Sequence, residues 1–250
     1  MIFNKIENYK DNADIDVCVL SSNGIETSKK FINYYYLNTD KEKTNLVWLD
    51  NGSSDGTVEF LLSKQEEYGF SIYFSDSNLG VIGGRNFLYN ICRGSKVDKL
   101  MFLDNDQFVQ EGWFKNHLDL FINGKFDLLG VEAWQMGPTF LPIRKIIKYG
   151  EWFSYVGCGG SIIKKSIIKK EDEIYDPIFN PSYFEDPDLC FRMNAGGYSI
   201  GVNLKAKIFH AEHQTLGSVP DRNIRFLNSL NNFRLKWKGH KTPVFKSIEK

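Results

Sequence analysis

The chain has 250 residues, of which 42% are hydrophobic and 25% charged, and its 31 basic and 31 acidic side chains give a formal net charge of zero. These values exclude a disordered chain and are typical of one sizeable globular domain or two small ones, without the excess charge that indicates a nucleic-acid partner. The four cysteines form no Cys-x-x-Cys pair and no apolar run has membrane-spanning length, so we expect buried thiols in a cytoplasmic protein and no structural zinc site.

Apolar segments alternate with polar loops and helical stretches through the first half of the chain. Strands are predicted at about 15–20, 46–49, 70–74, 100–103 and 126–131. Helices are predicted at about 26–37, 57–68 and 111–121, and another ends at about 92 after a glycine-bearing loop at 79–86. This alternation predicts an α/β fold with a parallel sheet and a ligand site at the carboxyl ends of its strands.

Acidic residues follow three of these predicted strands directly, at Asp50, Asp76 and Asp104. Asp104 and Asp106 are one residue apart, so on an extended chain both side chains leave the strand end on the same side. Their mutual repulsion is relieved by a divalent cation, and hard oxygen ligands suit Mg²⁺ or Mn²⁺. Because such an ion commonly takes its other ligands from water and phosphates, the pattern predicts a metal–diphosphate site.

The second half is less regular, and it favours a single domain because no linker or internal repeat is visible. Its acids are concentrated at Glu185, Asp186 and Asp188, at the start of a predicted helix. The other features are a possible hairpin arm at 137–147, a glycine patch at 156–161, short strands at 198–202 and 206–209 before His210, and a basic tail at 222–250 that is helical to about residue 237.

Taken in order, these motifs resemble the family 2 glycosyltransferases, which have the GT-A fold. The segments that carry the resemblance are LDNGSSDGT at 49–57, NLGVIGGRN at 78–86, FLDND at 102–106, the glycine patch at 157–161, FEDPDL at 184–189 and the first histidine of FHAEH. The resemblance covers about 15–215. It implies a Rossmann-like nucleotide-sugar-binding half at about 15–130 with a mixed central sheet, an acceptor-binding and catalytic half at about 131–215, and a helical tail at 216–250, all in one domain over 1–250.

The resemblance also implies a role for each candidate residue. Asp186 matches the catalytic base of the family, with Glu185 beside it. The metal ligands would be Asp104, Asp106 and His210. The donor-binding residues would be Asn23, Asp50, Asp76, Arg85, Asp104, Gly159 and Gly160. A desolvated Asp186 next to Glu185 is expected to have a raised pKa, which suits a base that removes a hydroxyl proton.

The implied activity is a metal-dependent transfer of a hexosyl, hexosaminyl or rhamnosyl group from a UDP- or dTDP-sugar, with Mn²⁺ or Mg²⁺ as cofactor. The acceptor would be a hydroxyl of a glycan, a lipid-linked glycan or a protein, and a base opposite the leaving group predicts inversion. Two alternatives stay open: a non-catalytic GT-A module that binds sugar nucleotides or glycans, and a metal-dependent phosphohydrolase. The basic tail allows a peripheral contact with the inner face of a membrane.

Overall fold

The computed structural model describes residues 2–168, 173–211 and 221–249. Its helices are α1 (Ile25–Asn38), α2 (Thr57–Tyr68), α3 (Gly80–Cys92), α4 (Trp113–Gly124), α5 (Glu185–Ala195) and α6 (Arg222–Lys236), with short 3-10 helices at Lys165–Ile167 and Pro177–Phe179. Its strands are β1 (Ile2–Ile6), β2 (Ile15–Ser21), β3 (Thr44–Asn51), β4 (Ser71–Ser75), β5 (Lys99–Asp104), β6 (Gln107–Val109), β7 (Leu128–Gly130), β8 (Ala133–Met136), β9 (Pro142–Lys145), β10 (Trp152–Phe153), β11 (Tyr155–Val156), β12 (Ile162–Lys164), β13 (Ile200–Val202), β14 (Ile208–His210) and β15 (Phe245–Lys246).

Eight strands form one mixed sheet in the order β1-β4-β3-β2-β5-β12-β7-β13. Strands β2 to β5 are parallel to their neighbours within this group. In contrast, β1 runs antiparallel to β4, and β12 runs antiparallel to both β5 and β7. The predicted α/β class with a mixed central sheet is therefore confirmed. Because the parallel strands end at one edge, their terminal residues share that edge.

The central strands are buried on both faces, which explains why the sequence shows them as continuous apolar runs. Residues that alternate along β2 point to opposite cores: Val17 and Val19 contact the core under α1, α2 and α4, whereas Cys18 contacts the core under α3, α5 and α6. The same alternation places Trp48 in the first core and Val47 in the second. The molecule thus has a sheet between two helical layers.

Residues 137–147 form the loop and second strand of a hairpin, so the predicted arm is confirmed. Strand β8 pairs with β9 and with β11, both antiparallel. A second small ribbon pairs β6 with β14 and places His210 opposite Gln107. This ribbon fixes a residue from late in the chain beside the end of β5.

Several predicted boundaries were wrong for identifiable reasons. The polar N-terminal segment contains the unpredicted strand β1, which is an edge strand and needs a partner on only one side. Helix α3 begins at Gly80, so the glycines of 79–86 lie within the helix and not in a loop. A Cβ added at Gly84 would lie 2.6 Å from Leu20 Cδ1, so this glycine lets α3 pack closely on β2. The strand predicted at 126–131 spans only Leu128–Gly130.

The C-terminal region packs against the rest of the protein and is only partly the predicted helical tail. Helix α6 buries Leu230 and Phe233, and β15 pairs with β10 beyond it. All four cysteines are free and buried: Cys18 and Cys92 lie between β2 and α3, with 3.3 Å between their sulfurs, while Cys158 and Cys190 lie in the region of the glycine patch and α5. No described helix is long and apolar enough to cross a bilayer.

Candidate active site

The carboxyl edge of the sheet carries Asp50 on β3 and Asp104 on β5, as the sequence predicts. Asp50 Oδ1 accepts a hydrogen bond from the Ser53 amide at 2.9 Å, while Asp50 Oδ2 is buried without a partner among the described residues. Burial raises the pKa of Asp50. Asp76 follows β4 at the same edge but is exposed in a bend. The edge therefore has a buried acceptor at Asp50 and a solvated acid at Asp76.

Hydrogen bonds join the loops that follow β2 and β3. Asn23 Oδ1 accepts from the Ser54 amide at 2.9 Å, and the Asn23 amide donates to Ser53 Oγ at 2.7 Å. Asp55 Oδ2 accepts from the amides of Gly24 and Ile25 at 2.7 and 3.0 Å, so it binds the exposed N–H groups at the start of α1. The side-chain oxygen of Asn23, predicted to bind the donor, thus holds the adjacent loop.

Arg85 on α3 lies beneath the end of β5 and contacts Asp104. Arg85 Nη2 donates to Asp104 Oδ1 at 2.6 Å, and the arginine side chain is buried. Burial opposes the positive charge, but the surrounding negative charges, including those of Asp104 and Asp186, raise the pKa of Arg85 well above its ordinary value. The Asp104 amide donates to Gln107 Oε1 at 3.0 Å, which holds the turn after β5.

Asp104, Asp106 and His210 form a cluster whose potential ligand atoms lie within 4.8 Å of one another. His210 Nε2 lies 3.3 Å from Asp106 Oδ1, and the Ala211 amide donates to the Asp106 carbonyl at 3.0 Å. Burial opposes protonation of His210, but its hydrogen bond to Asp106 and the nearby carboxylate charges raise its pKa. His210 Nδ1 is buried without a partner among the described residues. Glu212 and His213, the last two residues of the FHAEH motif, lie outside the described residues.

The two glycines predicted to form the pocket floor face different surroundings. A Cβ added at Gly159 would lie 2.6 Å from Asp104 Oδ2, so this glycine leaves room directly beside the acid. One added at Gly160, whose φ is +81°, would lie 2.6 Å from Val131 Cγ2. The Gly160 carbonyl lies 2.9 Å from Nε2 of buried His117. Gly159 therefore borders the acidic cluster, whereas Gly160 anchors the patch to α4.

His117 is a positioning residue that the sequence analysis missed. Burial lowers its pKa to about 4, so the imidazole is neutral near pH 7. A carbonyl can only accept, so Nε2 carries the proton donated to Gly160, and Nδ1 accepts from Asn203 Nδ2 at 3.2 Å. A lone histidine on a helix offers no sequence signal for this contact, which depends on the tertiary structure.

Glu185 and Asp186 begin α5, directly after two residues in the left-handed backbone region. Tyr183 has φ of +77° and Phe184 has φ of +67°, a conformation that non-glycine residues adopt rarely and that costs free energy. Glu185 Oε2 and Asp186 Oδ1 are both buried without a hydrogen-bond partner among the described residues. Burial raises the pKa of both carboxyls, and the Asp186 charge raises that of Glu185 further. The predicted rise for Asp186 is therefore confirmed.

The glycine patch lies between Asp186 and the cluster of Asp104, Asp106 and His210. A Cβ added at Gly157 would lie 4.0 Å from Asp186 Oδ2, and Gly159, two residues on, borders Asp104. The same added Cβ would lie 3.0 Å from the indole ring of Trp134. An acid with a raised pKa thus lies across a flat glycine surface from two carboxylates and a histidine.

Asp188, the third acid of FEDPDL, has a structural environment. Its Oδ1 accepts from Trp237 Nε1 at 2.9 Å and lies 2.8 Å from Lys236 Nζ, and its Oδ2 accepts from Arg192 Nε at 2.9 Å. The carboxylate is fully buried with all these partners in place. Asp188 therefore holds α5 to the end of α6.

Comparisons with known proteins agree with this architecture. The family model described as "Glycosyl transferase family 2" matches residues 26–175. No curated protein matches the chain.

Solved structures with a similar fold include two of S. aureus TarS and one of GalNAc-T7. The first TarS structure has 15% identity and a TM-score of 0.59, with 79% of this chain covering 36% of that one. The structure of TarS 1-349 in complex with UDP-GlcNAc has 16% identity and a TM-score of 0.57, with coverages of 82% and 61%. GalNAc-T7 with UDP, GalNAc and Mn²⁺ has 13% identity and a TM-score of 0.67, with coverages of 92% and 49%. The chain spans less than two thirds of each.

Proposed function

The chain belongs to glycosyl transferase family 2, and we propose that it is a metal-dependent, inverting enzyme that moves a sugar from a UDP- or dTDP-sugar to a hydroxyl acceptor. The family match covers 26–175, more than half of the 250 residues, and the fold is that of GT-A glycosyltransferases. The observation that carries the finer proposal is the cluster of Asp104, Asp106 and His210 beside Asp186.

The cluster fits a divalent cation by its chemistry. The potential ligand atoms of two carboxylates and an imidazole lie within 4.8 Å of one another, and His210 Nδ1 has no hydrogen-bond partner among the described residues. Carboxylate oxygens suit Mg²⁺ and Mn²⁺, and an added imidazole favours a transition metal such as Mn²⁺. Asp104, Asp106 and His210 would hold the ion, which when bound offsets the charge of the departing diphosphate.

The donor-binding half is proposed at about 15–130. In it, Asp50 would bind the nucleobase and Asp76 would lie at the rim of the nucleotide pocket. The buried, unpartnered Asp50 Oδ2 is an acceptor that the imide N–H of uracil or thymine would satisfy, which supports a UDP- or dTDP-sugar. Arg85 stays charged and holds Asp104 in place from below. Asn23 acts at this edge through the loop it fixes.

Asp186 is proposed as the catalytic base in the acceptor half at about 131–215. Burial raises its pKa, which makes the carboxylate a stronger base while the Arg85 charge keeps the ionised form accessible. The proton of the attacking hydroxyl passes to Asp186, and Glu185 beside it contributes negative charge or a proton according to pH. One base on the face opposite the leaving group leads to inversion at the anomeric carbon.

The test is a thermal-shift panel of UDP-, dTDP- and GDP-sugars, each with and without Mn²⁺, on the wild type and Asp106→Ala. A ligand that binds only the native state raises the melting temperature by mass action. We expect a Mn²⁺-dependent shift with a uridine or thymidine donor that Asp106→Ala loses. An equal shift without metal, or in the variant, would contradict the proposed site. NMR of the first-formed linkage then tests inversion, and a retained anomer would exclude Asp186 as a single base.

A further inference from the structure

The C-terminal region carries a concentration of positive charge that the whole-chain balance hides. Residues 222–248 contain seven Lys and Arg and no Asp or Glu, and residues 133–150 contain three and none. The remainder of the chain therefore has 21 basic and 31 acidic residues, since the totals are 31 and 31. A chain of zero net charge is thus divided into a basic part and an acidic part.

The two basic segments are neighbours in the fold. The Arg234 guanidinium on α6 donates to the Thr139 carbonyl at 3.1 and 3.2 Å, and Thr242 Oγ1 donates to the Gly137 carbonyl at 3.3 Å. The Gly150 amide donates to the Ser247 carbonyl at 2.9 Å. The β8–β9 hairpin and the C-terminal region therefore form one continuous surface.

Large apolar side chains are exposed on this same surface. On α6 the exposed fractions of Ile224, Leu227 and Leu235 are 61%, 55% and 73%. Their spacing places them on the helix side opposite the buried Leu230 and Phe233. The neighbouring segments expose Leu141, Ile143, Ile147 and Val244, at 40%, 58%, 81% and 70%.

We propose that this surface, hereafter the docking face, binds the surface of a bilayer that contains anionic lipids. The docking face comprises the outer side of α6 with Ile224, Leu227 and Leu235, together with the exposed side chains within 141–148 and 238–246. Apolar side chains enter the boundary between headgroups and acyl chains, while Lys and Arg beside them are attracted to anionic headgroups. The proposal goes beyond the transferase reaction and stands without it.

The basic side chains that form no ion pair among the described residues support an anionic bilayer as the partner of the docking face. Three of the ten basic side chains are neutralised by ion pairs: Lys236 with Asp176 and Asp188, Arg144 with Glu151, and Lys145 with Glu132. In the described part of the chain, no carboxylate forms an ion pair with any of the other seven, which are Lys148, Arg222, Arg225, Arg234, Lys238, Lys241 and Lys246. The docking face therefore keeps a net positive charge.

Other occupants fit this composition less well. A second copy bound through the same face would bring two positive surfaces together, which costs free energy. The core of a protein–protein interface is depleted of lysine, whereas a bilayer surface attracts it. Exposed leucine and isoleucine side chains have no partner on a nucleic-acid backbone. A bilayer with anionic headgroups satisfies both the apolar and the basic side chains.

The inner side of α6 connects the docking face to the candidate active site. Phe226 packs on Tyr183 and Phe184 with ring centroids 5.7 and 5.4 Å apart, and Ser229 Oγ donates to the Ser182 carbonyl at 3.0 Å. These residues directly precede Glu185. A bilayer bound on one side of α6 would therefore lie one helix diameter from the loop that precedes Glu185 and Asp186.

The experiment is co-sedimentation of the full chain with phosphatidylcholine vesicles, with and without phosphatidylglycerol. The variants are Leu227→Glu with Leu235→Glu, and Lys238→Gln with Lys241→Gln. The matched control is Leu37→Glu, because Leu37 is 80% exposed on α1, in the helical layer on the other side of the sheet. All substituted side chains are exposed, and circular dichroism checks that each variant is folded.

We expect binding only to vesicles that contain phosphatidylglycerol, with release when the salt is raised from about 0.1 M to about 1 M. The lysine double variant should bind about 25-fold more weakly, at about fivefold for each lost charge, and the leucine double variant should not bind. Leu37→Glu should bind like the wild type. Equal binding to neutral vesicles, absence of binding, or an equal loss in Leu37→Glu would overturn the proposal. So would a dimer in solution that the leucine double variant dissociates, because the face would then join two copies.

Discussion

The loops after β2, β3 and β4, which we propose bind the donor, differ from the acid pair formed by Glu185 and Asp186 in how their polar atoms are satisfied. In the loops at 21–24, 50–57 and 75–80, side-chain amides and hydroxyls bind neighbouring loops, as when Asn51 Nδ2 donates to Asn78 Oδ1 and Asn78 Nδ2 donates to Ser22 Oγ. Only Asp50 keeps a buried oxygen unused there. The acid pair follows a strained turn, and each of its two residues has a buried oxygen without a partner in the described part of the chain.

This difference indicates that the loops after β2, β3 and β4 form a fixed frame, and that the acid pair is the part expected to bind a ligand. A satisfied loop network keeps its geometry without a ligand, whereas a buried carboxylate oxygen without a partner costs free energy until something binds it. Natural proteins tolerate such costs mainly where function requires them. The comparison therefore predicts that substitutions of the acid pair affect activity without lowering stability, and it can be tested residue by residue.

The largest expected effect is on catalysis, from Asp186→Asn. The amide keeps the shape of the side chain but cannot accept the hydroxyl proton, so the transfer rate should fall about 10²–10⁴-fold. Donor affinity, measured by thermal shift, should stay close to that of the wild type. Asp119→Asn makes the same chemical change at an exposed position on α4, outside the proposed site, and is the control. Wild-type turnover in Asp186→Asn would remove this residue as the base.

The next effect is on stability, from Asp188→Ala in the same motif. Removing this buried carboxylate leaves Lys236, Arg192 and Trp237 without their shared partner, so the free energy of unfolding should fall by about 3–5 kcal/mol. Urea unfolding followed by tryptophan fluorescence measures it. Asp176→Ala removes a more exposed partner of Lys236 and should cost much less. Equal losses in the two variants would show that burial of Asp188 is not what matters.

A smaller effect is expected from Asp106→Ala on metal binding. At a metal concentration about 100-fold above the dissociation constant, binding stabilises the native state by about 2.7 kcal/mol, and the variant should lose most of this. Calorimetric titration with Mn²⁺ measures it directly. Asp119→Ala, on the exposed side of α4, is the control. A Mn²⁺ affinity unchanged by Asp106→Ala would place the ion elsewhere.

The smallest effect is a pH-dependent gain in stability from Glu185→Gln. Burial and the neighbouring Asp186 charge raise the pKa of Glu185 to about 8 from 4.5. Between these values the native state binds more protons than the unfolded state, so the wild-type free energy of unfolding falls as pH rises. Glutamine removes this fall and should stabilise the metal-free protein by at least about 1 kcal/mol at pH 8. A difference of the same size at pH 4 and pH 8 would show that Glu185 titrates normally.

The strand ends could be predicted from the sequence because parallel strands buried on both faces appear as apolar runs that stop at polar residues. This pattern locates Asp50 and Asp104, whereas the acids of its first turn locate the start of α5. The roles of the site residues stay predictions until they are measured.

Other features depend on contacts between distant segments, which a local pattern does not contain. Strand β1 forms only because residues 2–6 pair with residues 72–75. In FEDPDL, the sequence shows three similar acids, but only the fold shows that Asp188 is fully paired while Asp186 is not. Gln107 and His117 hold the acidic cluster and the glycine patch through contacts that span elements.

The four buried cysteines can serve as probes of local unfolding. Cys18 and Cys92 are buried between β2 and α3, whereas Cys158 and Cys190 are buried in the region of the glycine patch and α5. A maleimide can reach each thiol only when the surrounding structure opens, so labelling rates resolved by mass spectrometry report the opening free energy of each region separately. If donor or metal is added, slower labelling at Cys158 and Cys190 alone would show that the ligand closes the region around Glu185 and Asp186 and leaves the opening of β2 and α3 unchanged.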